Sequence, residues 1–576
     1  MGVSPAGTTQ RTPAPPTASR RSTRSWLPRS ASLACFAVGL IDLASALTKG
    51  ASSRLRELRT VVPGGVSHVS TAGTLMIGLL LVLLAHGLRR RKRRAYRLTV
   101  ALLGLSIGLH LLKGLDVEEA TLSLVVLTGL LAGRKEFYAR ADPRTRWRAA
   151  AVGGGLVMAS SLIGVTFIAV RHDALVRPFS VTTASEQVLK GLVGINGPLA
   201  FKHTRRGQGS ADLVADALLG MGVLCLVTTL YLLLRPATPL PRLTAEDEAR
   251  MRELLARHGG RDSLAYFALR RDKSVVWSAT GKACVAYRVV SGVMLASGDP
   301  LGDPEAWPGA IAAFLDLADL HAWTPGVMGC TEQAGTAWSR AGLQALEIGD
   351  EAVVEVQDFS LEGRAMRNVR QAVMRVERAG YTTRVRRVSD LSPEEAADLR
   401  EQATSWRGAE TERGFSMALG RFADPADPGC VVVMAFHDEQ LKAFLHFVPW
   451  GGDGLSLDLM RRDRAAANGL NELLIATALT AAPTLGVVRL SLNFAVFRSA
   501  LERGERLGAG PVLRAWRGVL LFASRWFQIE SLYRFNAKFR PLWEPRFVCY
   551  ATAGDLPRVA LAALQAEAFI ALPRLL

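Results

Sequence analysis

The stretch RFNAKFRPLWEPRF, Arg534 to Phe547, sets Phe535, Phe539, Trp543 and Phe547 among Arg534, Lys538, Arg540 and Arg546. Arginine grips phosphate bidentately and lysine acts as a point charge, while aromatic faces either stack on unpaired bases or fill a core. Pro541 and Pro545 interrupt any continuous helix, so the four-residue aromatic spacing is not one helical stripe. A second basic concentration lies in LEGRAMRNVRQAVMRVERAG (361–380), where Arg364, Arg367, Arg370, Arg375 and Arg378 recur every three to five positions on an expected helix, followed by Arg384, Arg386 and Arg387. Such a face binds a phosphate backbone or an anionic surface, or is simply solvated. The six cysteines (35, 225, 284, 330, 430 and 549) form no CxxC pair and no Cys/His cluster at zinc spacing, so reduced thiols and no metal are expected. No Ser/His/Asp order is evident, and His437 and His446 read as partly buried strand histidines.

The elements that must position these residues fall into two regions. Residues 1–235 hold 30 Lys+Arg and 11 Asp+Glu, which is the whole +19 excess; the other 40 basic and 40 acidic residues balance. A basic chain often binds nucleic acid, but here the bulk excess is better explained by loops that orient membrane helices. Residues 1–30, rich in Pro, Ser, Thr and Arg, read as a disordered cytosolic tail rather than a cleaved signal. Residues 31–235 read as a transmembrane region of about six helices, at 31–48, 66–88, 95–115, 117–133, 149–171 and 211–235. RRRKRRAYR (89–97) and GRKEFYARADPRTRWR (133–148) place those loops in the cytosol by the positive-inside rule, and an even number of spans returns the chain there. HLLKGLDVEEATL then puts Lys113, Asp116, Glu118 and Glu119 on the outer side, as a solvated turn or with a head-group or packing role.

From about 245 the pattern is that of a mixed α/β protein. Strand-like AYFAL, SVVWSA, ACVAYRVV and SGVMLASGDP precede the helical PEAWPGAIAAFLDLADLHAW, a further strand and helix, and EAVVEVQDF. Strands, helix and strand then recur, which predicts two related units, 236–355 and 356–576. The second has the order of a GNAT-type acyltransferase. In CoA-dependent GNATs a Gly-rich turn before the central helix binds pyrophosphate; here RRDRAAANGLNE offers only Gly469, which serves equally as an ordinary helix start.

MRNVRQAVMRVERAG, ERGFSM (412–417), LSLDLMRR (455–462), GLNELLI (469–475), SLNFAVF (491–497) and SLYRFNAKFRPLWEPRFVCY (531–550), in this order, resemble the catalytic domain of the bacterial aminoacyl-phosphatidylglycerol synthases, the MprF group of phosphatidylglycerol lysyltransferases. HLLKGLDVEEA resembles the membrane part of the same family. The resemblance implies an N-terminal helical membrane region plus tandem GNAT-like folds, multi-pass in the cell membrane with a cytoplasmic catalytic domain. It further implies an aminoacyl-tRNA donor, phosphatidylglycerol as acceptor, and no CoA or other cofactor. Full-length members carry a longer, lipid-flipping membrane region, and the LysX branch a fused lysyl-tRNA synthetase; this chain is expected to have neither.

An aminoacyl ester is already activated, so the enzyme positions two substrates, assists loss of the acceptor's proton and stabilises the oxyanion. Under the resemblance Asp458 orients or deprotonates the lipid hydroxyl, or else caps the next segment. Arg461 and Arg462 bind phosphate or are solvated, and Lys538 and Arg540 hold a tRNA or lipid phosphate. Tyr533, Trp543 and Arg546 join the substrate set. Glu412 and Arg413 shape the aminoacyl pocket, and Ser491 and Asn493 contact donor or acceptor. Arg364, Arg367 and Arg370 face tRNA or lipid phosphate. Competing readings are transfer to another acceptor, such as diacylglycerol or a cell-wall peptide, and a non-enzymatic membrane scaffold or lipid-flipping partner.

Overall fold

The structure, a computed structural model, describes residues 26–47, 64–114, 117–139, 144–202, 205–234, 239, 242–408, 411–412, 414–496 and 529–570. Two compact units divide the chain, one of Met1–Ala237 with Asp319–Ala322 and one of Thr238–Ala318 with Trp323–Leu576.

The first unit is helical: α1 (Leu27–Leu47), α2 (Gly64–Arg89), α3 (Arg93–Gly114), α4 (Val117–Ala132), α5 (Arg144–Val170), α6 (Val181–Gly191) and α7 (Arg205–Leu234). Six of these coincide with the expected spans to within a turn or two. The seventh, α6, is too short to cross a bilayer and was not anticipated. By length and composition, Leu27–Ala44, Ala149–Val170 and Ala211–Leu234 are apolar enough to span one. Large apolar side chains such as Leu33, Leu124, Leu162, Ile163 and Leu224 point outward, as a lipid-facing surface requires. Between α1 and α2, Gly39 and Gly78 let the backbones touch: a Cβ on either would stand 2.8 Å from the other's carbonyl oxygen. Within this apolar bundle, His110 Nε2 lies 3.1 Å from Asp42 Oδ1 and His110 Nδ1 lies 2.9 Å from Glu119 Oε2. Ser106 Oγ donates to Asp42 Oδ2 at 3.3 Å. Asp42, isolated in an apolar run of sequence, thus has two partners on α3, Ser106 and His110.

The second unit carries the helices α8 (Ala245–His258), α9 (Trp307–His321), α10 (Glu332–Arg340), α11 (Arg367–Arg378), α12 (Pro393–Arg407), α13 (Leu470–Ala481), α14 (Ile529–Ala537) and α15 (Leu556–Ala566). Its strands are β1 (Ser274–Trp277), β2 (Ala283–Val290), β3 (Val293–Ser297), β4 (Leu301–Gly302), β5 (Thr324–Cys330), β6 (Gln344–Glu355), β7 (Thr382–Arg387), β8 (Val431–His437), β9 (Gln440–Trp450), β10 (Gly454–Arg462), β11 (Arg489–Val496) and β12 (Leu542–Tyr550). AYFAL is not a strand. Asp262 Oδ1 accepts from Leu264 N at 3.0 Å and starts a tight turn there, and Ala265–Leu269 continue as a 3₁₀ segment.

The expected recurrence is present. β2 and β3 are antiparallel and β3 crosses over through α9 to the parallel β5; β8, β9 and β10 are antiparallel and β10 crosses over through α13 to the parallel β11. The halves then exchange strands. The sheet runs β1-β2-β3-β5-β12-β6-β11-β10-β9-β8-β7, so β12 of the second half lies between β5 and β6 of the first. The expected boundary at 355/356 falls at the end of β6, inside this exchange.

One face of the second half of the sheet is covered by α11 and α13, through Val369, Val373, Val376, Leu473 and Leu474 packed on Val433, Leu445, Phe447 and Leu457. Each such fully buried side chain contributes roughly 1.5–3 kcal/mol. The other face meets α8, α12 and the 414–424 segment through Leu254, Ala396, Leu399, Leu419 and Phe422 packed on Phe444 and Val448.

Candidate active site

Strand alternation sends Leu445 and Phe447 of β9 to the helices and leaves Phe444, His446 and Val448 on the opposite face. On β10, Leu455 and Leu457 likewise face the helices. A register shift between Leu457 and Leu459 then sets Leu459 opposite His446. β11 has a matching shift between Ser491 and Phe494, where Asn493 adopts a left-handed φ of 67°. Parallel pairing of β10 with β11 is therefore confined to Gly454–Ser456 against Arg489–Ser491. Bulges of this kind re-aim side chains at the point where two strands part.

Asp458 lies at that point. Its Oδ2 is 2.7 Å from His446 Nδ1 and its Oδ1 accepts from Leu419 N at 2.7 Å. The Asp458 and His446 side chains are only 4% and 1% exposed. The His446 and Phe422 rings meet near-perpendicularly with centroids 5.1 Å apart, and Phe422 stacks on Phe444 at 4.5 Å, which in turn stacks on Trp406 at 5.8 Å. Further along β10 the site reaches the surface. There Arg461 Nη2 donates to Glu412 Oε1 at 2.8 Å, and Arg407 Nη1 donates to Glu412 Oε2 at 3.2 Å.

ERGFSM and DLMRR, far apart in sequence, thus meet through Glu412–Arg461, and Leu419, two residues beyond ERGFSM, meets Asp458. The GFSM loop is held from behind by Glu567, whose carboxylate accepts from Phe415 N at 2.6 Å and Ser416 N at 2.9 Å. Lys273 stands nearby with its Nζ 4.7 Å from the Phe415 ring and donates to Phe267 O at 2.9 Å and Ser297 Oγ at 2.8 Å. Burial, with Arg270 close by, pushes its ammonium down to about 7.

The structure gives the other expected site residues different circumstances. Arg546 is buried at the strand exchange, where it donates to Glu351, to Asp262 Oδ1 at 2.7 Å and to Ser263 Oγ at 2.7 Å. Ser491 is also fully buried and donates to Glu351. Both therefore join β6, β11 and β12 rather than face an open site. Asp299, beside this cluster, accepts from Thr331 N at 2.8 Å and Thr331 Oγ1 at 2.7 Å. Burial, and then the neighbouring Asp262 charge, push its carboxyl up to about 7. Asn493 donates through Nδ2 to Leu457 O and so ties β11 to β10 where they part.

The opening segment turns from α14 into β12, as its prolines require. Phe539 is core, 2% exposed, and Phe535 packs on it at 5.7 Å. Tyr533 and Trp543 pack together at 5.3 Å. Lys538 is half-exposed and bonds Glu472 Oε1 at 2.7 Å. Arg540, in the turn at φ 51°, lines a cleft of ≈ 410 Å³ with Glu355, Asp358, Phe359, Glu362 and Phe539. The basic helix begins at Arg367, not at residue 361, so Arg364 lies in the preceding turn; Arg370 donates to Leu361 O at 2.5 Å and Gly363 O at 3.1 Å and holds that turn. Arg364 and Arg367 are exposed. At the start of α13, Arg375 Nη2 donates to Asn468 O at 3.0 Å, and a Cβ on Gly469 (φ 107°) would stand 3.1 Å from Val376. Arg413 lies outside the described residues, and among those described no group of three or more His, Cys, Asp or Glu is disposed to hold a metal.

Sequence reasoning took His446 for an ordinary strand histidine and passed over Arg407 and Glu567. A signal for His446 was present: in AFLHFV it interrupts the apolar face that Phe444 and Val448 continue.

This site lies on a tandem strand-helix-strand fold of the acyltransferase type, joined to a helical membrane region. Residues 252–550 match the family model described as phosphatidylglycerol lysyltransferase, C-terminal, and residues 23–234 match that of the transmembrane region of lysyl-tRNA synthetase. The chain belongs to the phosphatidylglycerol lysyltransferase family. It is 43% identical over 505 residues to the lysylphosphatidylglycerol biosynthesis bifunctional protein LysX of Rhodococcus opacus, covering 86% of this chain and 44% of that one. Against the protein of the same name from Mycolicibacterium vanbaalenii it is 40% identical over 571 residues, covering 97% of this chain and 51% of that one. The chain thus spans about half the length of these relatives. Among solved structures, that of L-PGS from Bacillus licheniformis aligns with a TM-score of 0.48 at 22% identity, over 57% of this chain and 98% of that one.

Proposed function

We propose that this chain is a membrane-bound aminoacyltransferase that moves an amino acid, lysine in keeping with its relatives' names, from aminoacyl-tRNA to a head-group hydroxyl of phosphatidylglycerol. The observation that carries this reading is the lysyltransferase match over residues 252–550, with the ERGFSM and DLMRR residues meeting inside it. The helical unit is multi-pass and the α/β unit acts at the cytoplasmic leaflet, as the basic loops at 89–97 and 133–148 favour.

The acceptor hydroxyl attacks the ester carbonyl of the donor directly, with no covalent enzyme intermediate. The Glu412–Arg461 pair is the charged rim of the aminoacyl pocket, and Asp458 is the buried carboxylate at its floor. Lys538, Arg540, Arg364 and Arg367 supply exposed positive charge for tRNA or lipid phosphates, an attraction that weakens with salt. Adding lysine to the head group lowers the negative charge of the membrane surface.

The test is chromatography of lipids from cells expressing this chain and labelled in turn with lysine, alanine and ornithine. A new ninhydrin-positive lipid carrying the lysine label is expected. A well-expressed membrane protein that yields no aminoacyl lipid with any label would overturn the reading.

A further inference from the structure

Building on the transferase reading, we propose that His446 is the general base of the reaction, with Asp458 as the residue that positions it.

An ionised carboxylate only accepts hydrogen bonds, so the 2.7 Å contact with Asp458 Oδ2 puts the imidazole proton on Nδ1. Nε2 then presents a lone pair. Asp458 is itself fixed by Leu419 N at 2.7 Å, which sets the ring plane as well as the tautomer. Each Asp458 oxygen already accepts one hydrogen bond, so the group with an unmet valence is the histidine, and direct deprotonation by Asp458 gives way to action through it.

His446 Nε2 is buried and, among the described residues, has no hydrogen-bond partner. Leaving such an atom unpaired costs about 1–3 kcal/mol, and native interiors seldom tolerate it without a reason. Of the twelve other such atoms among the described residues, two lie on the adjoining strands, Ser456 Oγ on β10 and Asn493 Oδ1 on β11. They come from three successive strands around the place where β10 and β11 part. Ser456 pairs with Val448, two residues along β9 from His446 and on the same face. The Asn493 side chain reaches across to Leu457 O, one residue from Asp458. Three unfilled polar valences in a wall otherwise made of Phe422, Phe444 and Val448 mark the place of a polar ligand group. The Phe422 ring packs at 5.1 Å against the imidazole and forms one wall of this place.

The step balances without a cofactor. His446 Nε2 takes the proton of the acceptor hydroxyl as that oxygen bonds to the ester carbonyl carbon of the aminoacyl-tRNA. The tetrahedral intermediate then collapses, the bond from the carbonyl carbon to the ribose oxygen breaks, and the imidazolium returns its proton to that oxygen. One ester forms and one is lost. Asp458 is the charged group against the imidazole. Cys430, whose charge would also reach Asp458, is held protonated, since burial and then the Asp427 and Asp458 charges push its thiol well up.

The experiment uses the full chain in vesicles of phosphatidylglycerol and phosphatidylethanolamine, with labelled lysyl-tRNA in single turnover between pH 5.5 and 8.5. Wild-type transfer is expected to rise with pH over this range, as a general-base step does. His446→Gln is expected to lose about 10²- to 10⁴-fold in rate, to retain tRNA binding and melting temperature, and to lose that rise with pH in the residual rate. His446→Gln within threefold of wild type with the same pH profile would overturn the proposal. So would a wild-type profile flat over this range, a readout that needs no variant to fold. No transfer by wild-type protein at any pH would instead refute the transferase reading itself.

Discussion

Each unit of this protein buries a histidine against an aspartate, and the two histidines have different surroundings. In the helical unit His110 has a carboxylate oxygen near each ring nitrogen, Asp42 at 3.1 Å and Glu119 at 2.9 Å, from two other helices, although only the Asp42 contact is a hydrogen bond. In the α/β unit His446 has Asp458 on Nδ1 and, among the described residues, no hydrogen-bond partner on Nε2. An imidazole flanked by two carboxylates is a tie between helices, and its removal should cost stability. An imidazole with one carboxylate is pre-oriented with a lone pair to spare, and its removal should cost rate. Burial is the same in both cases; the second carboxylate beside His110 separates them.

The largest effect that would sharpen this contrast is on chemistry. Asp458→Ala should lower transfer by about 10²- to 10⁴-fold in single turnover and cost about 1–3 kcal/mol of stability, because it leaves the buried His446 Nδ1 and Leu419 N without their acceptor. If Asp458→Ala made normal amounts of aminoacyl lipid, both carboxylate and histidine would belong to packing alone.

The reverse is expected in the helical unit. Asp42→Leu should destabilise it by about 3–5 kcal/mol, as removal of one partner from a buried charged set does, with the transfer rate of the folded fraction unchanged. Thermal unfolding in detergent, read beside the transfer assay, measures both. A rate loss without a stability loss would break the contrast.

Arg546 offers a third case, a buried charge with every partner in place. Arg546→Met should cost about 3–5 kcal/mol, and adding Glu351→Leu should recover part of it, since the carboxylate would no longer be stranded. A double variant no more stable than the single one would contradict that account of the strand exchange.

Asp299 gives a pH signature. Its carboxyl is pushed up to about 7 in the fold, against about 4 in the unfolded chain. Between those values the folded state holds the extra proton, so stability should fall as pH rises from about 4 to about 7 and then level off. Asp299→Asn should flatten that slope in denaturant titrations at several pH values.

The smallest stability effect belongs to Lys538, whose half-exposed pair with Glu472 is worth about 0–1 kcal/mol. Charge reversal of Lys538 with Arg540 should nonetheless weaken tRNA-dependent transfer and reduce its salt sensitivity. Untouched transfer would remove the phosphate role from this segment.

Much of the architecture could be read locally. Six apolar runs became six helices because a helix satisfies its own backbone wherever apolar side chains surround it. The two strand-helix-strand orders were visible because apolar spacing changes from every second residue to every third or fourth along the chain. AYFAL misled because its side chains are as apolar as a strand's, while the Asp262 carboxylate upstream had already committed the backbone to a turn. Helix α6 was missed because it is short and only half apolar.

The sequence by itself determined the two-part division, the helical and α/β classes, and which short motifs carry charged side chains. Those properties follow from composition and period, which act over a few residues. The tertiary structure decided what each charge is for. Arg546 and Arg540 stand six residues apart in one basic-aromatic segment, yet one is sealed among carboxylates at the strand exchange and the other lines an open cleft. Asp458 and His446 are twelve residues apart, and only the bulge in β10 and the antiparallel register of β9 bring a carboxylate oxygen and a ring nitrogen to 2.7 Å. Partner identity depends on register and crossover, which are fixed by the packing of the whole sheet and not by any window of sequence.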